Sequence, residues 1–170
     1  EEMRATMWDY FFQSQYQQEP FVESGWDFKK DYFQYYEDVP KNLRVFSFLD
    51  PAISEKQEAD SSAIVTIGLD QNNRVFVLDV WQERATPDTI INAVFSTVSK
   101  WKPEKFGIEV VQYQKMLALE IRKQMTLRNN FFFLEEVNPM WEKNARIRST
   151  LQPRYSNASV IHPKYHQKTQ

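Results

Sequence analysis

The chain has 170 residues, 42% of them hydrophobic, a formal net charge of −2 and no cysteine. This length suits one domain of ordinary size with a short appended segment. The absence of cysteine excludes a disulfide framework and a thiolate zinc site, and three glycines are too few to hide a phosphate-cradling loop, so ATP hydrolysis is not expected. No apolar run approaches a membrane span, and Glu1-Glu2-Met3-Arg4 does not read as a secretion signal; a soluble protein, or a fragment of one, is expected.

Charge is distributed unevenly. Residues 1–60 carry 13 acids and 6 bases, residues 61–140 nine of each, and residues 141–170 one acid and six bases. The basic end permits a phosphate-bearing partner, although charge alone favours a solvated basic helix and tail.

Residues 1–40 interleave aromatics such as Trp8, Phe12, Tyr16, Trp26, Phe33 and Tyr36 with acids and glutamines, and lack aliphatic periodicity. Such a segment is expected to pack onto another surface as a linker, ending at Pro40. Strands are predicted over Val45 to Asp50, Ser62 to Leu69 and Arg74 to Trp81, the last two joined by the polar turn Asp70-Gln71-Asn72-Asn73. Thr86-Pro87-Asp88 is a helix start: a capping hydroxyl, a proline at the first helical position and an acid in the first turn. Ile90, Ile91, Val94, Phe95, Val98 and Trp101 follow at helical spacing up to Pro103. A fourth strand is predicted over Phe106 to Val110, a second helix along Tyr113, Leu117, Ile121 and Met125, an apolar fifth strand over Phe131 to Leu134, and a last helix near Trp141 to Leu151.

Three closely spaced strands make an antiparallel meander, and the helix-length connections that follow imply right-handed parallel crossovers. The fold class is therefore α/β, in the order of a ribonuclease H-like mixed five-stranded sheet: three antiparallel strands, then two parallel crossovers, flanked by helices. The resemblance to that fold implies that the first and fourth strands are adjacent and parallel in the middle of the sheet. Asp50 and Glu109, each at the edge of an apolar run, would then share one rim of the sheet. Carboxylates placed so are costly unless a cation offsets them, and a divalent ion is the natural candidate.

Specific residues add a family resemblance over nearly the whole chain. Asp50-Pro51-Ala52, Asp60-Ser61-Ser62-Ala63-Ile64-Val65, Leu78-Asp79-Val80-Trp81, and Trp101 to Glu109 with Tyr113-Gln114-Lys115 resemble the nuclease domain of phage terminase large subunits. Lys143-Asn144-Ala145-Arg146-Ile147 and Leu151-Gln152-Pro153-Arg154-Tyr155 are similar to that family's basic helix, and Phe12 to Pro20 to the segment leaving its motor ATPase. The resemblance implies a DNA-cutting domain over residues 41–170, preceded by a linker over 1–40 from an ATPase domain. It implies Mg2+ or Mn2+, two ions in the complete site, with Asp50 bridging both, Glu109 holding one and Asp60 able to approach. Double-stranded DNA is the implied substrate. The other implied partners are the motor's own ATPase domain, the portal and the small terminase subunit, in the host cell cytoplasm.

Lys143, Arg146 and Thr150 share a helical stripe beside Met140, Ile147 and Leu151, so the helix could dock by its apolar side and offer cations to DNA, with Arg148 and Arg154 contributing less specifically. Asp79 reads as structural, and His162 and His166 as surface residues. The family completes its site with a further acid on a C-terminal helix, and no acid follows Glu142 here, so the domain reads as truncated before that helix and its cleavage as impaired. The rival reading is a non-catalytic DNA-gripping or portal-docking module with an incomplete metal site. A junction resolvase or hybrid-cutting ribonuclease is disfavoured by the aromatic linker.

Overall fold

In the computed structural model, residues 28–52, 61–110, 114–138 and 143–164 are described. They form strands β1 (Gln34–Tyr36), β2 (Arg44–Asp50), β3 (Ser62–Leu69), β4 (Val75–Glu83), β5 (Lys105–Glu109), β6 (Leu134–Val137) and β7 (Val160–Pro163). Three helices accompany them: α1 (Pro87–Trp101), α2 (Gln114–Leu127) and α3 (Lys143–Ser156). The sheet order is β1-β7-β4-β3-β2-β5-β6. Only β3 runs against the rest: it is antiparallel to β2 and β4, and the other pairings are parallel.

The helix start at Thr86 forms as its residues dictate. The Thr86 hydroxyl accepts the Thr89 N–H, Pro87 opens the helix, and Lys102 closes it in a left-handed conformation (φ 48°) with its N–H on the Val98 carbonyl at 2.9 Å. Ile90, Ile91, Val94, Phe95 and Val98 of α1 and Leu117, Ala118, Ile121 and Met125 of α2 are buried against Leu49, Ile64, Phe106 and Ile108 of the sheet. This is the core, and it lies on one face. Within it Ser47 and Thr66 satisfy one another across β2 and β3, hydroxyl to hydroxyl at 2.8 Å. Alternation turns Phe46, Phe48 and Asp50 of β2, and Lys105, Gly107 and Glu109 of β5, to the other face.

Asp79 is structural in its contacts. The ladder slips between Thr66 and Ile67, leaving Asp79 opposite Thr66, and its carboxylate takes the Trp101 indole N–H at 2.7 Å and the Lys100 ammonium at 2.8 Å. Burial pushes this carboxyl up, and those two donors outweigh it, holding it below its ordinary value.

The sheet is wider than the expected five strands. β7 joins β4 in parallel, and β1, from the aromatic segment, joins β7. Both are too short, at four and three residues, to show an alternating pattern in the sequence. The strand expected over Phe131 to Leu134 lies instead at Leu134–Val137: Phe132 packs on the core while Phe131 and Phe133 are 67% and 57% exposed. The acids Glu135 and Glu136 suit an edge strand, where they meet Lys105 at 3.2 Å and Arg122 at 3.0 Å.

His162 is not a surface residue. It is buried in β7, stacked on Tyr155 of α3 with centroids 5.7 Å apart, and its Nε2 shares a 2.9 Å hydrogen bond with the Tyr155 hydroxyl. Phe28 and Phe33 pack on the same tyrosine. Pro163, the position near the tail and the lack of nearby acids point to a surface residue, but β7 carries His162 into the sheet. His166 lies outside the described residues.

Two outcomes are expected. A Cβ on Gly107 would clash with Cδ2 of Phe48, its register partner on β2. Gly107→Ala should therefore lower unfolding stability by about 1–3 kcal/mol in urea titrations, and the added Phe48→Ala change should recover part of the clash cost. Burial lowers the His162 pKa from 6.5 to about 4, so the unfolded chain binds a proton there that the folded chain refuses. The stability this group contributes is complete above pH 6.5 and lost as pH falls toward 4, on the order of 3 kcal/mol. Comparing wild type with His162→Gln across that window should reveal the difference in slope.

Candidate metal centre

β2 and β5 are in parallel register from Phe46↔Lys105 to Leu49↔Ile108, and the next step sets Asp50 beside Glu109. Leu49 and Ile108 point into the core with no exposed surface, which obliges both acids to face the opposite side. Beneath them the Phe48 ring lies on Gly107, an apolar floor that leaves the carboxylates at the rim. The Asp50 side chain is 44% exposed and that of Glu109 19%.

The chain leaving Asp50 is pinned from two sides. Pro51 is buried and its carbonyl accepts the Gln114 side-chain amide at 2.9 Å, while the Ala52 N–H donates to the Ser62 hydroxyl at 3.0 Å. Gln114 opens α2 and fully buried Ser62 opens β3, so three elements fix where Asp50 ends. The positioning roles of Ser62 and Gln114 escaped the sequence reading. Ser62 carried a signal, being a polar residue in phase with the inward Ile64 and Thr66; Gln114 carried none beyond its place at a helix start.

Helix α3 brings two cations to the acids. Lys143 Nζ donates to Asp50 Oδ2 at 3.3 Å, and Arg146 Nη2 stands 3.6 Å from Glu109 Oε1. The second contact is an ion pair too long for a good hydrogen bond. Arg146 Nε is buried with no hydrogen-bond partner among the described residues. Ile147 is half-buried and Leu151 40% exposed, so Tyr155 makes the buried apolar contact of this helix.

The other expected site residues are dispersed. Arg148 is exposed. Arg154 lies at the far end of α3, donating to the Asn73 carbonyl at 3.4 Å, on a helix about 20 Å long. Thr150 is exposed; Asp60, Tyr113 and Met140 lie outside the described residues.

Two carboxylates on neighbouring strands make an oxygen-only donor set that suits one hard divalent cation, with water or phosphate oxygens completing its sphere. Among the described residues no group of three or more His, Cys, Asp or Glu side chains could hold a metal. No helix among them is long and apolar enough to cross a membrane.

Comparison with solved structures finds chains of similar fold. The HK97 bacteriophage large terminase superposes with a TM-score of 0.52 at 12% identity, over 77% of this chain and 32% of the terminase. The chain thus spans about a third of that protein's length. T. thermophilus RuvC in complex with Holliday junction substrate matches at TM-score 0.46 and 15% identity, over 65% of this chain and 77% of RuvC. The fowlpox virus Holliday junction resolvase matches at 0.44 and 13%, over 69% and 78%. No protein-family model and no curated protein matches. The chain has the ribonuclease H-like fold and shares it with a phage large terminase.

Gln114→Ala should cost about 1 kcal/mol by leaving the buried Pro51 carbonyl unpaired, measured as a lower urea midpoint at unchanged slope.

Proposed function

We propose that this chain is the metal-dependent endonuclease domain of a viral DNA-packaging motor, cutting double-stranded concatemeric genomes. The observation that carries the reading is the register of β2 and β5, which brings Asp50 and Glu109 together at one rim of a ribonuclease H-like sheet. The packaging role is supported by the terminase-like motifs along the chain and by the shared fold.

Asp50 and Glu109 are the ligands, with Asp60 as an accessory one. Bound there, Mg2+ or Mn2+ would make a water more acidic and neutralise charge on the phosphorus centre. The Phe48–Gly107 floor and the Gln114 and Ser62 hydrogen bonds hold the first carboxylate in place. Lys143 and Arg146 face the same point and attract the DNA backbone, with Arg148 and Arg154, farther along the helix, contributing less specifically. The two-ion arrangement of the family needs more carboxylate than these two strands supply, so slow cleavage belongs to the same reading.

The absence of a third clustered acid among the described residues favours a second reading, a module that grips DNA or docks on a portal without cutting. Plasmid nicking in Mn2+ separates the two. Asp50→Ala and Glu109→Ala should each lower the rate by roughly 100-fold or more while duplex binding persists. Wild-type nicking no faster than that of either variant would leave the gripping module as the answer.

A further inference from the structure

The two ion pairs at the rim differ from the other surface pairs of this chain in what they occupy. Lys143 and Arg146 stand one turn apart on α3 and each meets one member of the acid pair, at 3.3 and 3.6 Å. Without them Asp50 and Glu109 would be two like charges side by side, so the helix supplies the neutralising charge that a divalent ion would otherwise bring. Neither contact is tight: the first is a long hydrogen bond between half-exposed groups, and the second leaves the guanidinium short of partners. Arg146 Nε is buried and has no acceptor among the described residues, and a phosphate oxygen would be one.

We propose that Lys143 and Arg146 are exchangeable counter-ions. They hold the carboxylate pair in the ion-free protein, give it up when a divalent cation binds, and then neutralise two phosphates of the DNA backbone. The exchange makes ion binding and DNA binding mutually reinforcing, and it sets α3, rather than the sheet, as the element that moves. This rests on the assignment of Asp50 and Glu109 as ion ligands.

The exchange is cheap. Partly exposed pairs of this kind contribute at most ~1 kcal/mol each, so removing one competitor should tighten ion binding about five-fold, before counting the repulsion also relieved. Calorimetric titration of the whole chain with Mg2+ and with Ca2+ reads this directly. Lys143→Ala should bind either ion about five-fold more tightly than wild type, and Lys143→Gln, which keeps side-chain length and helix propensity, should do the same. Duplex binding by fluorescence anisotropy supplies the second readout. In Ca2+ the wild-type dependence of log affinity on log salt should be steeper than in EDTA by nearly 2, for two phosphates newly neutralised. In the Lys143→Gln/Arg146→Gln chain the two slopes should coincide.

Unchanged or weaker ion affinity in both Lys143 variants would overturn the exchange, as would equal wild-type slopes in Ca2+ and EDTA. A wild type that cleaves DNA and binds the ion, but whose Lys143 variants bind it no better, sinks the exchange alone. A wild type that binds no divalent ion sinks the nuclease reading and the exchange together.

Discussion

Two carboxylates held side by side at the edge of an apolar sheet are the constraint to which the rest of this structure answers. Their proximity is a matter of register, not of loop geometry: Leu49 and Ile108 are locked into the core, and alternation then leaves Asp50 and Glu109 no choice of face. Moving one strand by one residue would bury a carboxylate and expose an isoleucine or leucine. The penalty for that slip is several times the worth of any single surface ion pair, so packing decides where the acids stand and electrostatics must adapt.

That adaptation falls to the face away from the core. One side of the sheet is sealed by α1 and α2, whose apolar stripes leave little freedom. On the other side α3 is fixed at its C-terminal end by Tyr155, buried against His162, Phe28 and Phe33. At its N-terminal end it meets the sheet through Lys143 and Arg146, whose contacts are ionic and loose. A helix anchored by packing at one end and by charge at the other can change its charge contacts without disturbing the core.

Much of this was legible in the sequence because it rests on local rules. Thr86-Pro87-Asp88 marked the start of α1, the stripe from Ile90 to Val98 named its buried face, and the length of each connection separated the meander from the crossovers. What escaped was set by tertiary context. β1 and β7 are too short for periodicity to register, and His162 looks exposed until β7 is seen beside β4. Three consecutive phenylalanines read as a buried strand, yet only Phe132 turns inward, and the strand proper carries two acids that suit its edge. At the site, residue types named the acids and the cations, but not which cation would meet which acid.

Under the proposed exchange, the charge balance at that meeting point would link ion to nucleic acid. Asp50 and Glu109 carry two negative charges, Lys143 and Arg146 two positive ones, and the cluster is neutral as it stands. A divalent cation entering alone would leave two positive charges uncompensated beside a partly buried site, an arrangement that costs free energy. DNA phosphates entering alone would meet cations already committed to carboxylates. Each ligand therefore removes the obstacle to the other, and linkage requires the benefit to be equal in both directions. On the exchange proposed above, the ion would be retained poorly when DNA is absent, and the same four side chains that form the cluster would withhold it until a backbone is in place.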